Sequence, residues 1–296
     1  MSSEVEKLNT AKSKHRSGNI EGAIKIYKKL IDRRRNNSEI FFLLGTAYLQ
    51  KRDYKKTIYY LKNAIILKSD EPNYYNNIGI ALSGLNKERE AIANFKQALE
   101  IKKNYNDAII NIGISYKNLK EFEKSKNYFF KSLKISPNNP IVLNNLGNLY
   151  REIGEITKAT KAYEDAIRNN KDYIEAHNNS AEIFLMQKKF DKAIKEFEKV
   201  INLNPELNYS YGKFIHTKMN LCDWKDFDKN LGKIKEGVKK NKKIIEPFPM
   251  LSLIDDPKIQ KKNSLIYKIY KFKEGKILKK KNYTNKSNKI RVGYFG

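Results

Sequence analysis

Small and large residues recur at an interval of 34 residues along the first two thirds of the chain. Four such series share one register. Two are small: Ala11, Gly45, Gly79, Gly113, Gly147 and Ala181, and then Ala23, Thr57, Ala91, Ser125, Ala159 and Ala193. Two are mostly larger: Tyr27, Leu61, Phe95, Phe129, Tyr163 and Phe197, and then Leu30, Ala64, Ala98, Ser132, Ala166 and Val200. The last three positions of each unit lie four and three residues apart, as in Ala23, Tyr27 and Leu30, which predicts a helix.

Each 34-residue unit predicts two antiparallel helices, because helices pack closely only where the side chains at their crossing are small. This helix–turn–helix unit resembles the tetratricopeptide repeat. A single unit cannot bury its apolar face, so the units are expected to stack into a right-handed solenoid with a concave surface. The sequence therefore predicts an all-α fold with six repeats in residues 1–207, beginning at residues 4, 38, 72, 106, 140 and 174.

Asparagine occupies the sixth position of four consecutive repeats, at Asn77, Asn111, Asn145 and Asn179. This position lies on the first helix of each pair, away from the packing face. Stacking should therefore align the four amides along the concave wall. A side-chain amide offers a donor and an acceptor, which match the N–H and C=O of a peptide backbone. The row is a candidate peptide-binding site, although asparagine is also common throughout this chain and at this position of ordinary tetratricopeptide repeats.

Three segments follow the predicted repeats. Residues 208–240 keep traces of a seventh, degenerate helical pair, which would cap the solenoid with the single tryptophan, Trp224, as a packing anchor. Residues 241–288 contain a proline-interrupted apolar stretch, a short basic helix from Pro257 and a polar, lysine-rich linker, and together form a connector. Residues 289–296 have the pattern of a β-strand, with no other predicted strand to join.

Composition narrows the functional classes. The net charge is +27, but the lysines are spread along the whole chain, which favours compositional drift over a nucleic-acid footprint. The single cysteine, Cys222, excludes an internal disulfide and fits a reducing compartment. No apolar run is long enough for a membrane span, and the charged N-terminus lacks a signal-peptide core. These features predict a cytoplasmic protein without a membrane partner.

The later segments resemble one enzyme family in their order and spacing. The motifs are C-D-W-K-D-F at residues 222–227, E-P-F-P-M-L-S-L-I-D-D-P at 246–257 and K-I-R-V-G-Y-F at 289–295. Six repeats followed by these three motifs are similar in order to the protein O-linked N-acetylglucosamine transferases, especially bacterial ones, and to their Spindly-like relatives. The resemblance implies that residues 289–296 are the first strand of a missing glycosyltransferase domain, which would use UDP-N-acetylglucosamine. It also implies that the four asparagines contact the backbone of a protein substrate.

No catalytic or cofactor-binding pattern stands out in the sequence itself. There is no Gly-rich phosphate loop or paired-carboxylate motif, and His15, His177 and His216 are isolated. The resemblance therefore implies a substrate-recognition region that is inactive by itself and binds no cofactor. Its expected partners are proteins or extended peptides, and a homodimer is possible. A free-standing tetratricopeptide adaptor for protein–protein interactions is the first alternative, and a basic nucleic-acid-binding protein is the second.

Overall fold

A computed structural model of the chain describes residues 4–33 and 36–272, and in these residues all regular structure is α-helical. The chain divides into two compact units, Met1–Leu203 and Asn204–Gly296. Helices of the first unit are α1 (Glu4–Arg16), α2 (Ile20–Arg33), α3 (Ser38–Gln50), α4 (Tyr54–Leu67), α5 (Pro72–Gly84), α6 (Glu88–Ile101), α7 (Asn106–Asn118), α8 (Phe122–Ile135), α9 (Pro140–Glu152), α10 (Ile156–Asn169), α11 (Ile174–Met186) and α12 (Phe190–Leu203). The second unit contains α13 (Ser210–Asn220), α14 (Phe227–Lys239), α15 (Pro247–Leu251) and α16 (Pro257–Lys271).

The predicted all-α stack of helical pairs is confirmed. The odd-numbered helices of the first unit begin at residues 4, 38, 72, 106, 140 and 174, where the six predicted repeats begin. Each packs against the helix that follows it, and α2, α4, α6, α8 and α10 each pack in turn against the first helix of the next pair. The predicted strand at residues 289–296 lies outside the described residues.

Glycine on the first helix makes room for a large side chain of the second helix. A methyl group on Gly113 would lie 2.6 Å from Cε1 of Phe129, and one on Gly45 would lie 2.8 Å from Cγ of Leu61. The other small series lies at the same crossing, where Ser125 Oγ donates to the Gly113 carbonyl at 2.7 Å. The large residues that fill this space are all buried: Tyr27, Leu61, Phe95, Phe129, Tyr163 and Phe197.

The turn inside each repeat depends on a residue in the left-handed region. The φ angles are 83° at Gly18, 59° at Arg52, 60° at Asn86, 62° at Lys120, 82° at Gly154 and 54° at Lys188. This conformation costs an L-residue roughly 1–2 kcal/mol, whereas glycine adopts it freely. Glycine fills two of the six turns and asparagine, which tolerates this conformation, fills a third, so local backbone strain falls on Arg52, Lys120 and Lys188.

The second unit lacks the 34-residue period. Two helices, α13 and α14, follow the repeats, and Tyr211 Oη donates to Asn230 Oδ1 at 2.7 Å between them. The segment after α14 runs back along the start of α13, where the Gly212 N–H donates to the Ile244 carbonyl at 2.9 Å. A methyl group on Gly212 would lie 2.7 Å from the Ile245 Cα, so the segment can pack here only against glycine.

The prediction that Trp224 is a packing anchor is wrong. Its side chain is 52% exposed and contacts Phe227 edge-on, with 5.1 Å between ring centroids. The turn between α13 and α14 contains two left-handed residues, Cys222 and Asp226, and this turn carries the indole on the surface. Other side chains form the core of the unit: Tyr209, Tyr211, Ile215, Ile234, Val238, Ile245, Met250 and Ile254.

Candidate peptide-binding groove

The first helices of neighbouring repeats form a continuous surface in the first unit. Contacts join α3 to α5, α5 to α7, α7 to α9 and α9 to α11, while no two second helices of neighbouring repeats in the described residues pack as closely. Helices that crowd together on one side of a solenoid mark its inner side. We call the surface of α3, α5, α7, α9 and α11 the first-helix wall.

Three of the four predicted asparagines hydrogen-bond across a repeat boundary on this wall. Asn77 Nδ2 donates to Thr46 Oγ1 at 3.4 Å. Asn111 Nδ2 donates to Asn76 Oδ1 at 3.0 Å, and Asn179 Nδ2 donates to Asn144 Oδ1 at 2.9 Å in an equivalent contact. In each case the partner belongs to the first helix of the preceding repeat. These bonds fix the orientation of the amides.

Asn145 is the member of the row that has no hydrogen-bond partner among the described residues. It is partly exposed, and no other residue in the described ranges hydrogen-bonds its amide. Its oxygen and both amide hydrogens are therefore available to a ligand. By contrast, each bonded asparagine uses one of its two N–H groups and keeps its carbonyl oxygen for other partners. The wall thus presents a row of acceptors with donors beside them.

Sequence reasoning missed the asparagines at the fifth position of the repeat. Asn76 and Asn144 are 4% and 5% exposed, and they accept the hydrogen bonds from the next repeat. A buried amide oxygen that loses its partner costs about 1–3 kcal/mol, so these contacts contribute to stability. The sequence offers an Asn-Asn pair in repeats three, five and six, and the first amide of the pair is buried in repeats three and five but not in repeat six.

An open pocket of 630 Å³ lies between α7, α9 and α11, and Asn179 lines it. Its charged residues are paired: Arg151 Nη1 lies 3.0 Å from Glu182 Oε2, and Lys117 Nζ lies 3.8 Å from Glu152 Oε2. A hydrogen bond from Lys120, together with the charge of Lys117, lowers the pKa of Glu152 and keeps it ionised. This part of the wall is therefore polar but close to neutral.

A second pocket, of 460 Å³, lies at the other end of the repeats, between α1 and α3. Lys12 Nζ is 2.5 Å from Glu39 Oε1 across its mouth. His15 lies beside the buried Tyr27, with 3.4 Å between Nδ1 and Oη, and burial lowers the pKa of His15. Burial also raises the pKa of Tyr27 to about 12, so both groups are neutral at physiological pH. No asparagine row lines this pocket.

His177 has a structural position on α11. Its Nδ1 lies 2.5 Å from Glu196 Oε2, and its Nε2 lies 2.9 Å from the Lys171 carbonyl. Burial lowers the pKa of His177, but the hydrogen bonds to Glu196 and Lys171 outweigh this effect and raise it overall. The imidazole thus joins the two helices of the sixth repeat. Among the described residues, no group of His, Cys, Asp or Glu could hold a metal ion.

Many lysines of the first unit have local partners. In four repeats, a lysine of the second helix lies over an aromatic ring of the first helix. The distance from Nζ to the ring centroid is 5.1–5.7 Å in Lys56–Tyr48, Lys124–Tyr116, Lys158–Tyr150 and Lys192–Phe184. Others pair with an acidic residue three positions away, as Lys87 does with Glu90 at 2.9 Å. These contacts show that some of the lysines take part in the local packing of the repeats.

The fold and the wall define a repeat scaffold of the kind that binds other proteins. Models of the tetratricopeptide repeat match residues 8–72, 72–105, 107–139 and 144–207. The chain belongs to the tetratricopeptide-repeat family, as its repeat pattern predicts. This fold needs no cofactor of its own.

Solved structures with the same fold include several tetratricopeptide proteins. The thermophilic protein TTC0263 of Thermus thermophilus is 16% identical over 62% of this chain and 100% of its own, with a TM-score of 0.54. PilW, a type IV pilus biogenesis factor, is 18% identical over 70% of this chain and 96% of its own, with a TM-score of 0.61. Cut9–Hcn1 of the APC/C is 13% identical over 86% of this chain and 48% of that chain, with a TM-score of 0.62. At these identities the likeness establishes the fold.

Two further observations concern curated proteins and membrane spans. No curated protein is significantly similar to this chain. None of the helices in the described residues is long and apolar enough to cross a membrane. The matches reported above include no glycosyltransferase, so the predicted link to that enzyme family rests on the sequence resemblance.

Proposed function

We propose that the chain is a tetratricopeptide adaptor that binds an extended peptide segment of a protein partner along the first-helix wall. The contact row is Asn77, Asn111, Asn145 and Asn179. One observation carries the proposal: four successive first helices each present an amide, and three of these amides are held in place by the preceding repeat.

The geometry of the row favours recognition of a peptide backbone. A backbone presents alternating N–H and C=O groups, and a side-chain amide can bond to both. The cross-repeat bonds restrict the rotamers of Asn77, Asn111 and Asn179 before a ligand arrives, which reduces the entropy lost on binding. Because the charges beside Asn179 are paired, a ligand gains little there from net charge of either sign. This balance favours a peptide over a nucleic acid.

The free-standing adaptor is better supported than the substrate-recognition region of a glycosyltransferase. The family matches and the solved structures concern tetratricopeptide proteins, while the enzyme link rests on residues 222–227, 246–257 and 289–295. The two alternatives share the same peptide-binding wall. We expect the chain to transfer no sugar from UDP-N-acetylglucosamine to a peptide, and product formation would contradict this expectation.

Peptide binding tests the proposal directly. A panel of short unstructured peptides is screened against the full chain, and the tightest one serves as the probe. The double variant Asn111→Ala with Asn145→Ala should weaken the Kd of this probe about tenfold or more, since two backbone-pairing amides are lost. The matched control is Asn169→Ala, because Asn169 lies exposed on the second helix α10. An unchanged Kd for the double variant would refute the proposed site.

A further inference from the structure

Helix α16 in the second unit is strongly basic. It contains Lys258, Lys261, Lys262, Lys268 and Lys271 and no acidic residue. The helix is well defined at its start, where Asp256 Oδ1 accepts from the N–H groups of Lys258 and Ile259 at 2.9 and 3.2 Å. The sequence that follows, residues 273–291, is also rich in lysine.

One face of α16 is fixed to the rest of the second unit. Asn263 on this face is buried, and Tyr267 contacts Tyr209 with 5.7 Å between ring centroids. At the start of the helix, Gln260 Nε2 donates to the Ile254 carbonyl at 2.6 Å. These contacts determine which side of the helix faces outward.

The outward face carries a stripe of large apolar side chains. Leu265 and Ile269 are 49% and 75% exposed and lie four residues apart on one side of the helix, and Phe272, the residue directly after the helix, is 67% exposed. Exposed lysines border this stripe, among them Lys261 and Lys268. Because an exposed apolar stripe of this kind costs free energy in water, it marks an interaction surface.

We propose that α16 docks on the surface of a membrane that contains anionic lipids. A helix with a protruding apolar stripe between lysines can lie in the interface, with its apolar side chains among the acyl chains and its lysines at the headgroups. At 15 residues the helix is too short to span a bilayer, so it would lie parallel to the surface. This proposal departs from the sequence-based expectation of no membrane partner, which rested on the lack of a membrane-spanning segment and of a signal-peptide core.

The charge pattern favours a lipid surface over the other occupants. A second copy of this chain would bring two sets of lysines together, and like charges oppose such a contact. A nucleic acid would satisfy the lysines, but it would leave Leu265, Ile269 and Phe272 facing charged phosphates. A lipid interface accommodates both features, since it offers anionic headgroups and apolar chains side by side.

Vesicle co-sedimentation of the full chain tests the proposal. Vesicles of phosphatidylcholine with about 30% phosphatidylserine should bind the protein, pure phosphatidylcholine should bind it at least about tenfold more weakly, and added salt should weaken binding. The triple variant Leu265→Ser, Ile269→Ser and Phe272→Ser should lose at least about tenfold in affinity, as should Lys261→Gln with Lys268→Gln. All five positions are exposed, so circular dichroism and thermal unfolding should stay unchanged.

Matched controls come from the first unit. Ile66 on α4 is 80% exposed, and Lys55 and Lys62 are exposed on the same helix. Ile66→Ser and the pair Lys55→Gln with Lys62→Gln should keep full vesicle binding. Asn111→Ala with Asn145→Ala should also bind vesicles normally, which separates this test from that of the peptide groove.

Three results would overturn the proposal. The first is equal binding of the serine triple variant and the wild type to anionic vesicles. The second is equal binding of the wild type to both vesicle types. The third is failure to bind either vesicle type while a DNA duplex or a polyglutamate chain binds and the lysine variant loses that binding. This last result would assign α16 to a nucleic acid or to an acidic protein instead.

Discussion

In the first unit the same helix–helix contact recurs in every repeat, whereas the contacts of the second unit each occur once. In the repeats, a glycine of the first helix meets a buried large side chain of the second, as Gly113 meets Phe129. In the second unit, Gly212 of α13 instead meets the backbone of Ile245 in the segment after α14. In a repeat, the same contact requires the same residue size at the same position, so the packing is visible in the sequence as a period. In a segment that occurs once, the contacts produce no such period.

The largest expected effect comes from two Gly→Ala changes, one in each unit. Gly113→Ala should lower the free energy of unfolding by about 2–3 kcal/mol, because the new methyl group overlaps the buried ring of Phe129. Gly232→Ala on α14 should raise it by roughly 0.5–1 kcal/mol, since no atom lies within 4 Å and alanine favours the helix. Urea unfolding of the two variants measures both. Equal effects at the two positions would contradict the proposed packing rule.

A smaller effect should distinguish Asn144 from Asn145, two adjacent asparagines on α9. Asn144→Ala should destabilise the protein by about 1–2 kcal/mol, because the variant removes the oxygen that accepts from Asn179 and leaves empty space at a buried position. Asn145→Ala should change the unfolding free energy by less than about 0.5 kcal/mol, since this amide is partly exposed. Thermal and urea unfolding check both values. Should Asn145→Ala prove the more destabilising, the assignment of roles to the two side chains would be wrong.

Substitutions in the turns inside the repeats should change the free energy of unfolding by about 1 kcal/mol. Gly154→Ala places a side chain at a φ of 82° with no steric neighbour, so any loss of stability, expected at about 1 kcal/mol, comes from the backbone alone. Lys188→Gly relieves the same strain and should stabilise by roughly 0.5–1 kcal/mol after the entropic cost of glycine. The two variants should move the unfolding midpoint in opposite directions, and a shift in the same direction would refute the strain.

The smallest effect concerns pH. The pKa of His177 is raised above its usual 6.5, because its hydrogen bonds to Glu196 and Lys171 outweigh burial. Its contribution to stability is therefore fully present below pH 6.5 and is lost as the pH rises through the higher pKa of the folded state. Glu196→Gln should remove most of this dependence. Unfolding midpoints of both proteins across this pH window measure it, and identical pH profiles would contradict the role of the pair.

Much of the first unit could be predicted from the sequence, because its constraints recur. Six helix starts and the glycine–aromatic register follow from positions such as Gly113 and Phe129, where only one size of residue fits. The asparagine row was visible for the same reason. Its contacts across repeats could not be predicted, since the partner, Asn76 or Thr46, depends on the relative placement of two helices. Trp224 was misplaced because burial of a unique residue leaves no periodic signal.

The central claim is that the asparagine row recognises the backbone of an extended peptide rather than its side chains. One set of Kd measurements on the wild-type chain tests it most directly, with the probe peptide, a version of scrambled sequence and a version with N-methylated backbone amides. The scrambled peptide should bind within about threefold of the probe, and the N-methylated peptide about tenfold or more weaker, because its N–H groups can no longer donate. Loss of binding on scrambling, with N-methylation tolerated, would contradict the claim.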